Sequence, residues 1–534
     1  MSALVSVRTS RRPMMAAGLA VLMSAAAPLG AQGTAGGAGQ APAMPMQTPA
    51  APAGPTLELS MDQAVAMSLE TNLGLKAERL NLDVAAQSIA SARASFLPNI
   101  SSGVSRSTSD SVPTDFTQGS STISSTGLNV SGSFNQQLRW YGGRYSVTWS
   151  GNRNEQIGGN SSFNPRLGST LSVNFSQPLW RNLTIDSNRA NLEATERRRS
   201  IADIQLQQRV VNTQVTVQSA YLNLIGAIEQ QKVAQLNMDL AQESLKNARA
   251  RVAVGVAAQI EIIQFEQAVA SNQEQLILAA AQIDTAEDTL RSLILDPGRA
   301  DYWQVHLRPT DTIQLTPREI DEDAVIKTAL DQRLDLSVAK RNLEITDLNV
   351  RLNQNLTRPQ VDLGVNYSAT GTGGTQLQFG TGFPPPILSR TDKSFGSVLG
   401  DAFGGAYPSW TVGVSVAYPL GRSAAEAAVA QQQLLKQQEQ INLRDLELQI
   451  VRDVRDAVRQ VRTSYQRVQA TQAARVASEQ QLDAEQRRFA VGLSTTFELQ
   501  QKQRDLAAAR VNELNAMIAY NRALINLEAA QKTR

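Results

Sequence analysis

One stretch of this chain occurs twice, and that repetition narrows the possible folds more than length or composition does. Arg251-Val-Ala-Val-Gly255-Val-Ala-Ala-Gln-Ile-Glu261 recurs as Arg488-Phe-Ala-Val-Gly492-Leu-Ser-Thr-Thr-Phe-Glu498. Upstream, Phe175-Ser-Gln-Pro178-Leu179 has its counterpart in Ala417-Tyr-Pro419-Leu420, and Leu97-Pro98-Asn-Ile100 in Arg358-Pro359-Gln-Val361. Three matches in the same order and at similar offsets make two copies of one unit. Each half reads helix, strand, strand, long helix, hairpin, helix.

The strands alternate with a period of two. Leu171, Val173 and Phe175 are separated by Ser172 and Asn174, and Trp410, Val412, Val414, Val416 and Tyr418 by Thr411, Gly413, Ser415 and Ala417. Val361, Leu363, Val365 and Tyr367 make a third instance. Such a period puts every apolar residue on one face of a sheet. A soluble sheet would need a second layer over that face, and the sequence supplies none. Lipid is the cover that fits, with Trp140, Tyr145, Trp180, Trp410 and Tyr418 as an interfacial girdle.

The helices have related lengths. Residues 183–252 form a Pro-free run that at about 1.5 Å per residue spans roughly 100 Å, and 424–489 is its counterpart. The runs after each hairpin, 257–295 and 494–531, are about half as long, as are 58–95 and 322–356 before the strands. Two half-length helices stacked end to end match one long helix, which describes a helical cylinder capped by strands. Val451, Val454, Val458, Val461, Tyr465 and Val468 recur at steps of three and four, a coiled-coil seam. The first long helix carries two seams, one through Ile204, Val211, Val215, Leu222 and Ile225, the other through Val210, Val217, Leu224 and Ile228. Two seams imply two neighbours, as in a stave of a closed ring.

Composition excludes much else. The 534 residues would ordinarily suggest three or four domains, yet aromatics are 5% and charged residues 18% of them, with a net charge of +2. That charge supplies no basic field for nucleic acid. With no Cys and a single His, His306, a Ser/His/Asp set has at most one possible base and thiolate chemistry has no residue. No metal-ligand cluster or phosphate-cradling loop stands out, so neither enzyme activity nor a cofactor is expected. His306 is expected to be a structural residue, Arg197-Arg198-Arg199 a solvated collar, and the Gly371-Thr-Gly373-Gly374 segment an exposed loop between strands.

Residues 1–31 read as a secretory signal: Arg8, Arg11 and Arg12, then an apolar run from Met14 to Ala27, then Leu29-Gly30-Ala31 as a cleavage site. Without Cys, no acylated anchor is expected there. Residues 32–56, rich in Gly, Ala, Pro and Gln, read as a flexible tether. The first repeat is then 57–296, with strands at about 98–180. A connector follows at 297–321, and the second repeat is 322–534, with strands at about 360–420.

The leader, the doubled helix–strand–strand–helix unit, the Pro-Leu exit from the strands and the doubled Val-Gly hairpin together resemble the TolC-like outer membrane efflux family, from Leu57 to the C-terminus. The resemblance implies an α+β membrane protein: a homotrimeric outer-membrane β-barrel continuous with a long periplasmic α-helical barrel. It implies a passive conduit of a tripartite efflux or type I secretion system. Its partners would be a periplasmic adaptor, an inner-membrane pump of the RND, ABC or MFS type, and outer-membrane lipid. Trimerisation suits the strand count, since even small membrane barrels need about eight strands. The family has four strands per chain. The additional alternating stretches Leu128 to Phe134 and Tyr145 to Trp149, joined through Gly142-Gly143, are then a decoration, although the alternation by itself allows six. A periplasmic coiled-coil adaptor that never enters a membrane is the competing reading.

In this family the second hairpin lines the periplasmic entrance, where a Tyr, an Arg and two acidic residues hold it closed. Alignment on Gly492 places Phe489, Ser494, Glu498 and Gln501 at those positions. Only Glu498 keeps its character, so packing of Phe489 is the expected substitute for the polar closure. The hairpin tips, Arg251, Val254, Gly255 and Val256 in one copy and Arg488, Val491, Gly492 and Leu493 in the other, are the expected docking points for the adaptor.

Overall fold

The computed structural model describes residues 55–112, 122–157, 161–313, 315–382, 386–418 and 423–532. The leader, nearly all of the tether, and Pro419 and Leu420 lie outside them. In chain order the first half runs β1 (Thr56–Leu59), α1 (Met61–Thr71), α2 (Leu73–Ala94), β2 (Asn99–Ser111), β3 (Ile123–Gln137), β4 (Arg144–Ile157), β5 (Phe163–Pro178), α3 (Ser187–Ala253) and α4 (Gln259–Ile294). After β6 (His306–Pro309) come α5 (Glu322–Gln332), α6 (Leu334–Leu356), β7 (Gln360–Phe379), β8 (Ile387–Lys393), α7 (Phe395–Gly404), β9 (Pro408–Ala417), α8 (Ala424–Ala490) and α9 (Thr496–Lys532).

The two long helices, α3 and α8, have 67 residues each, roughly 100 Å at helical rise. Both start on side-chain caps. Asp186 accepts from the backbone of Asn188 and Arg189, and Ser423 forms a reciprocal capping box with Glu426. The helices that follow, α4 and α9, have 36 and 37 residues and pack back along α3 and α8. The shorter helices α2 and α6 pack against the strand-proximal parts of α3 and α8, so each long helix is flanked by two shorter ones along its length.

The helices expected over 58–95 and 322–356 are each broken, at Asn72 and Arg333. Asn72 leaves helical geometry and caps α2 by accepting from Leu75. Its amide donates to the Leu293 carbonyl, and Thr71 Oγ1 to that of Ile294 at 2.8 Å. The break lies where the end of α4 arrives and its last carbonyls need donors. Arg333, 1% exposed at its side chain, is held by Asp335 and by Asp453 of α8. The break at Arg333 has no Gly or Pro to announce it in sequence, and that at Asn72 only Gly74 two residues on.

Two apolar clusters, one in each half, hold the helices at this level. One gathers Val217, Tyr221, Leu224 and Ile225 of α3 with Leu290 and Ile294 of α4, and Leu59 and Leu307 of the parallel pair β1–β6. The other gathers Ile450, Val454, Val458, Val461 and Val468 of α8 with Ala516, Tyr520 and Leu527 of α9. Ile450, rather than Val451, begins the buried seam. Burying such side chains stabilises the packing by about 1.5–3 kcal/mol apiece. His306 sits in β6 with Nδ1 3.4 Å from Glu287, whose Oε1 also accepts from the Leu307 backbone at 2.7 Å.

The strands form one antiparallel sheet in the order β2-β3-β4-β5-β7, with β9 pairing the helix-proximal part of β7 and β8 its far end. This corrects two expectations. The stretches from Leu128 to Phe134 and from Tyr145 to Trp149 are not a decoration: β3 and β4 stand in register between β2 and β5, from Asn99↔Asn135 on one side to Arg144↔Ser176 on the other. The chain therefore has six strands that run the height of the sheet or of its lower part, β2 to β5, β7 and β9. The Gly371-Thr-Gly373-Gly374 segment is not a loop either. It lies inside β7, and α7 lies across it. Among the described residues no helix is long and apolar enough to cross a membrane.

Candidate functional site

Register sorts the sheet into two chemically distinct faces. Val361, Leu363, Val365 and Tyr367 of β7 lie beside Val416, Val414, Val412 and Trp410 of β9. On the other side Val365, Tyr367 and Ala369 meet Phe175, Val173 and Leu171 of β5, and these meet Tyr145, Val147 and Trp149 of β4. This apolar face ends at Arg106 in β2 and at the ion-paired Arg153 and Glu155 in β4. Trp410, Val412, Val414 and Val416 are all exposed in the single chain.

The opposite face is built of hydroxyls and amides. Ser131 and Ser133 of β3 pair with Ser150 and Thr148 of β4, which pair with Thr170 and Ser172 of β5; Asn174 of β5 and Asn366 of β7 are hydrogen-bonded to each other. Within these strands the charged residues on this face are Arg144 and Asp362 near the helices and Arg166 near the far end. Where the strands meet the helices, a cleft of about 1120 Å³ is lined by residues such as Asn135, Arg144, Asn174 and Asn188.

At the other end of the molecule the two hairpins share one backbone. Gly255 and Gly492 have φ of +77° and +76°, left-handed values that favour glycine. Val256 N donates to Arg251 O at 3.0 Å and Leu493 N to Arg488 O at 2.9 Å, while the glycine amides donate to Val252 O and Phe489 O. Both are glycine-terminated helix ends of the Schellman type. A Cβ on either glycine would meet nothing within 4 Å, so the dihedral alone demands glycine. Val254, Val256, Val491 and Leu493 are about 70% exposed or more.

The side chains around the tips differ. In the second hairpin the nearly buried Glu485 accepts from Ser494 Oγ and from Arg488 at 3.1 Å, and Ser494 lies 3.1 Å from Glu498. Gln501 turns away and donates to Asp505 on its own helix. Phe489 packs beside the cluster of Ala248, Phe265, Leu482, Leu499 and Leu506, and the Arg251 guanidinium lies 4.5 Å from its ring centroid. The structure thus forms two groups, Arg251 over Phe489 and Glu485 with Arg488, Ser494 and Glu498, and leaves Gln501 apart. Glu485 was missed by motif alignment, although its three-residue spacing from Arg488 was a readable signal. In the first hairpin its counterpart is Ala248, Ala257 replaces Ser494, and Glu261 keeps one buried oxygen without a hydrogen-bond partner.

Away from the tips, Arg197 of the triple-arginine run is ion-paired to Glu193 and Glu344. Burial pushes the Tyr221 hydroxyl up to about 12, with its oxygen 3.0 Å from the Leu59 carbonyl and 2.9 Å from Asp311. Burial also raises Tyr520, which donates to Thr316 O at 2.7 Å. Among the described residues no His, Asp and Glu are grouped to hold a metal ion.

Comparison with known proteins bears on most of the chain. The sequence model described as "Outer membrane efflux protein" matches residues 64–294 and 325–531. The pyoverdine export outer membrane proteins OpmQ of Pseudomonas aeruginosa and Pseudomonas putida are 28% identical over 227 residues and 26% identical over 252 residues. Those alignments take in 42% and 45% of this chain and 44% and 51% of the relatives, about half of each relative's length. Among solved structures, the fold is similar to the channel protein CusC, with a TM-score of 0.63 at 14% identity, covering 89% of this chain and 92% of that one. It is also similar to the Campylobacter jejuni CmeC outer membrane channel, with a TM-score of 0.61 at 14% identity over 88% and 85% of the two chains. The open-state MtrE outer membrane channel of Neisseria gonorrhoeae gives 0.59 at 17% identity over 89% of each.

Proposed function

This chain belongs to the outer membrane efflux protein family, and on that footing we propose that it is the outer-membrane conduit of a tripartite export system. The observation that carries the reading is a single sheet with one apolar and one hydroxyl-rich face, joined directly to two helical hairpins roughly 100 Å long. The apolar face meets lipid and the hydroxyl face lines a water-filled lumen. The helices form the wall of a periplasmic tunnel. The competing adaptor reading leaves the apolar face uncovered and has no support from the family match.

Among the described residues both sheet edges, β2 and β9, are unpaired on their outer sides in the single chain. β2 leads away from the helices and β9 returns to them, so the edge of one copy can pair with the opposite edge of the next in antiparallel register. That head-to-tail contact closes into a ring, and a trimer is the size the family resemblance implies. Three copies of six strands make eighteen, a barrel about 35 Å across its backbone where twelve strands would give about 24 Å. A lumen so lined imposes little charge selection, and selection falls to the far end of the tunnel.

There the second hairpin supplies the constriction, with Phe489 clamped by Arg251 and Glu498 held by Ser494. The six tips of a trimer present Val254, Val256, Val491 and Leu493 to a periplasmic adaptor, since exposed apolar residues at a turn favour a partner. The adaptor links the duct to an inner-membrane pump, which supplies the energy a duct lacks. Export of a small molecule, the role for which the Pseudomonas relatives are named, is compatible with such a lumen.

The assembly is tested by crosslinking in intact envelopes and by conductance in planar bilayers. Crosslinked species stop at the trimer, and the conductance exceeds that of a twelve-stranded relative. A monomer or dimer in mild detergent, with no conductance, overturns the reading.

A further inference from the structure

The hydrophobic face of the sheet is interrupted at one place. Between β8 and β9 the chain leaves the sheet and lays the ten-residue helix α7 flat against the apolar face, over β7 and β5. The seat is made of glycine: a Cβ at Gly371 would overlap the Val398 carbonyl, one at Gly373 would collide with the Val398 side chain, and one at Gly151 would press on the Phe395 ring. Val398 and Ala402 are fully buried against this seat. The helix starts on a Ser394 cap and stops at Gly405, whose φ is +69°.

The side of α7 turned away from the sheet presents Gly396, Ser397, Gly400, Phe403 and Gly404, all exposed. It carries no charge. The one ionised residue of the helix, Asp401, is paired to Lys393. Phe403, Tyr407 and Trp410 project around it, each more than half exposed. A helix with an uncharged outer side, anchored by its own apolar side, is costly to leave in water, whereas small residues and aromatic rings suit the boundary between headgroups and acyl chains. The position agrees. α7 crosses β7 above Val361 to Ala369, at Gly371, level with Gly151, and at Gly373, level with Arg153, where the Arg153–Glu155 pair ends the apolar band. From Tyr418 to Trp410 the return strand climbs about 20 Å along a tilted barrel axis, close to the height of a lipid-facing band.

We propose that α7 lies on the outside of the barrel, in the plane of the outer leaflet, with its Gly400–Phe403 side in contact with lipid acyl chains and the first part of the headgroups. The proposal rests on the channel reading above, because that reading makes the apolar face the lipid-facing one. On this basis the second half of the chain forms an external shoulder on the barrel and not a simple returning strand. The helix is the counterpart of a girdle residue, spread over nearly three turns.

The absence of Cys makes the test clean. Three single-cysteine variants, Gly400→Cys on α7, Val412→Cys on the apolar face of β9 and Ser368→Cys on the hydroxyl face of β7, are labelled with a nitroxide in the full-length protein reconstituted in phospholipid vesicles. At Gly400 a Cβ meets nothing within 4 Å, so the label leaves the packing alone. Collision with oxygen, which partitions into lipid, is compared with collision with a water-soluble nickel chelate. The expected ratio of oxygen to chelate accessibility is several-fold higher at 400 and 412 than at 368. A chelate-dominated signal at 400 with an oxygen-dominated one at 412 overturns the placement of α7 and leaves the channel intact. Chelate dominance at 412 overturns the channel reading itself. Phe403→Cys, on the same side of the helix, repeats the measurement if Gly400→Cys fails to assemble.

Discussion

The first half of the chain crosses its sheet four times, in β2 to β5, each strand long and fully registered on its neighbour. The second half crosses it once in the 20-residue β7 and comes back in pieces, β8, α7 and β9. At the opposite end of the molecule the relation inverts. The two hairpins have the same turn, the same left-handed glycine and the same pair of cross-turn hydrogen bonds, while their side chains differ. Where a long helix must reverse in a confined place, the backbone solution is fixed and chemistry varies around it. Across the sheet the face chemistry is common to both halves, and the path that delivers it varies.

The largest expected effect tests whether the shared tip geometry is a shared docking surface. Val254→Asp combined with Leu493→Asp puts a charge on all six tips of a trimer without touching the glycines or the packed cluster behind them. Export is abolished while the outer-membrane trimer level is unchanged, as read by transport in cells alongside quantitative blotting of envelopes. Normal export in this double variant removes the docking role. If Val254→Asp alone abolishes export and Leu493→Asp alone does not, the two hairpins are unequal to the adaptor despite their common turn.

The next effect falls on the strands. Gly371→Val and Gly132→Val add the same side chain to the same face of the sheet, in β7 and β3. At Gly132 a Cβ meets nothing within 4 Å, and at Gly371 it runs into α7. Overpacking of this kind costs about 3 kcal/mol, so Gly371→Val lowers the heat-resistant trimer in SDS, whereas Gly132→Val leaves it at wild-type level. Equal behaviour of the two variants contradicts the seating of α7 on the glycines.

That pair also marks where the sequence stopped being readable. The strand alternation, the two long helices and the hairpins were legible because each depends on a local period or a local dihedral. Gly371-Thr-Gly373-Gly374 resembles a loop because its meaning comes from a helix that arrives some twenty-five residues later, and no window around it contains that partner. The hairpin of β3 and β4 alternated as clearly as the other strands, and the strand number of the family, not its own residues, argued it out of the sheet. The breaks at Asn72 and Arg333 depend on the ends of α4 and on Asp453, again distant in sequence. At the tips, Ser494 and Glu498 share a polar group with Glu485, one turn upstream of the motif, while Phe489 lies against Arg251 and Gln501 stands apart.

A smaller effect compares two buried hydroxyls, Tyr221 on α3 and Tyr520 on α9. Tyr221 touches a carbonyl and the Asp311 carboxylate, and Tyr520 a carbonyl and the Arg318 backbone. Tyr221→Phe should cost about 1–3 kcal/mol by stranding buried acceptors, and Tyr520→Phe less, measured by denaturant unfolding in detergent. The sign of the pH dependence follows. Folding holds Tyr221 neutral up to about 12, above the ordinary tyrosine value of about 10. Its contribution is complete below pH 10 and is lost as the pH rises through that interval. The wild-type protein loses stability across that alkaline window more steeply than Tyr221→Phe. Parallel slopes contradict the burial of this hydroxyl.

The smallest effect concerns charge at the entrance and separates the two hairpins most finely. Glu261 and Glu498 occupy matching positions, six residues after the glycine and in the first turn of the following helix. Around Glu498 the second hairpin holds two carboxylates, Glu485 and Glu498, and one cation, Arg488, for a balance of −1. At the matching positions of the first hairpin Glu485 and Ser494 have become Ala248 and Ala257, so Arg251 and Glu261 are the charged counterparts that remain, for a balance of zero. A ring of three negative clusters favours cations, as rings of carboxylates in channels do, while neutral clusters contribute no such field. The hydroxyl-lined barrel adds little of its own. Reconstituted channels are therefore modestly cation-selective, Glu498→Gln moves the reversal potential in a salt gradient toward zero, and Glu261→Gln leaves it near the wild-type value. The effect is modest because Arg488 stands close by and salt screens charges about 10 Å apart at 0.1 M. It should shrink further as salt is raised. Equal shifts from both substitutions would place both hairpins at the constriction, and a shift from Glu261→Gln alone would assign the entrance to the first.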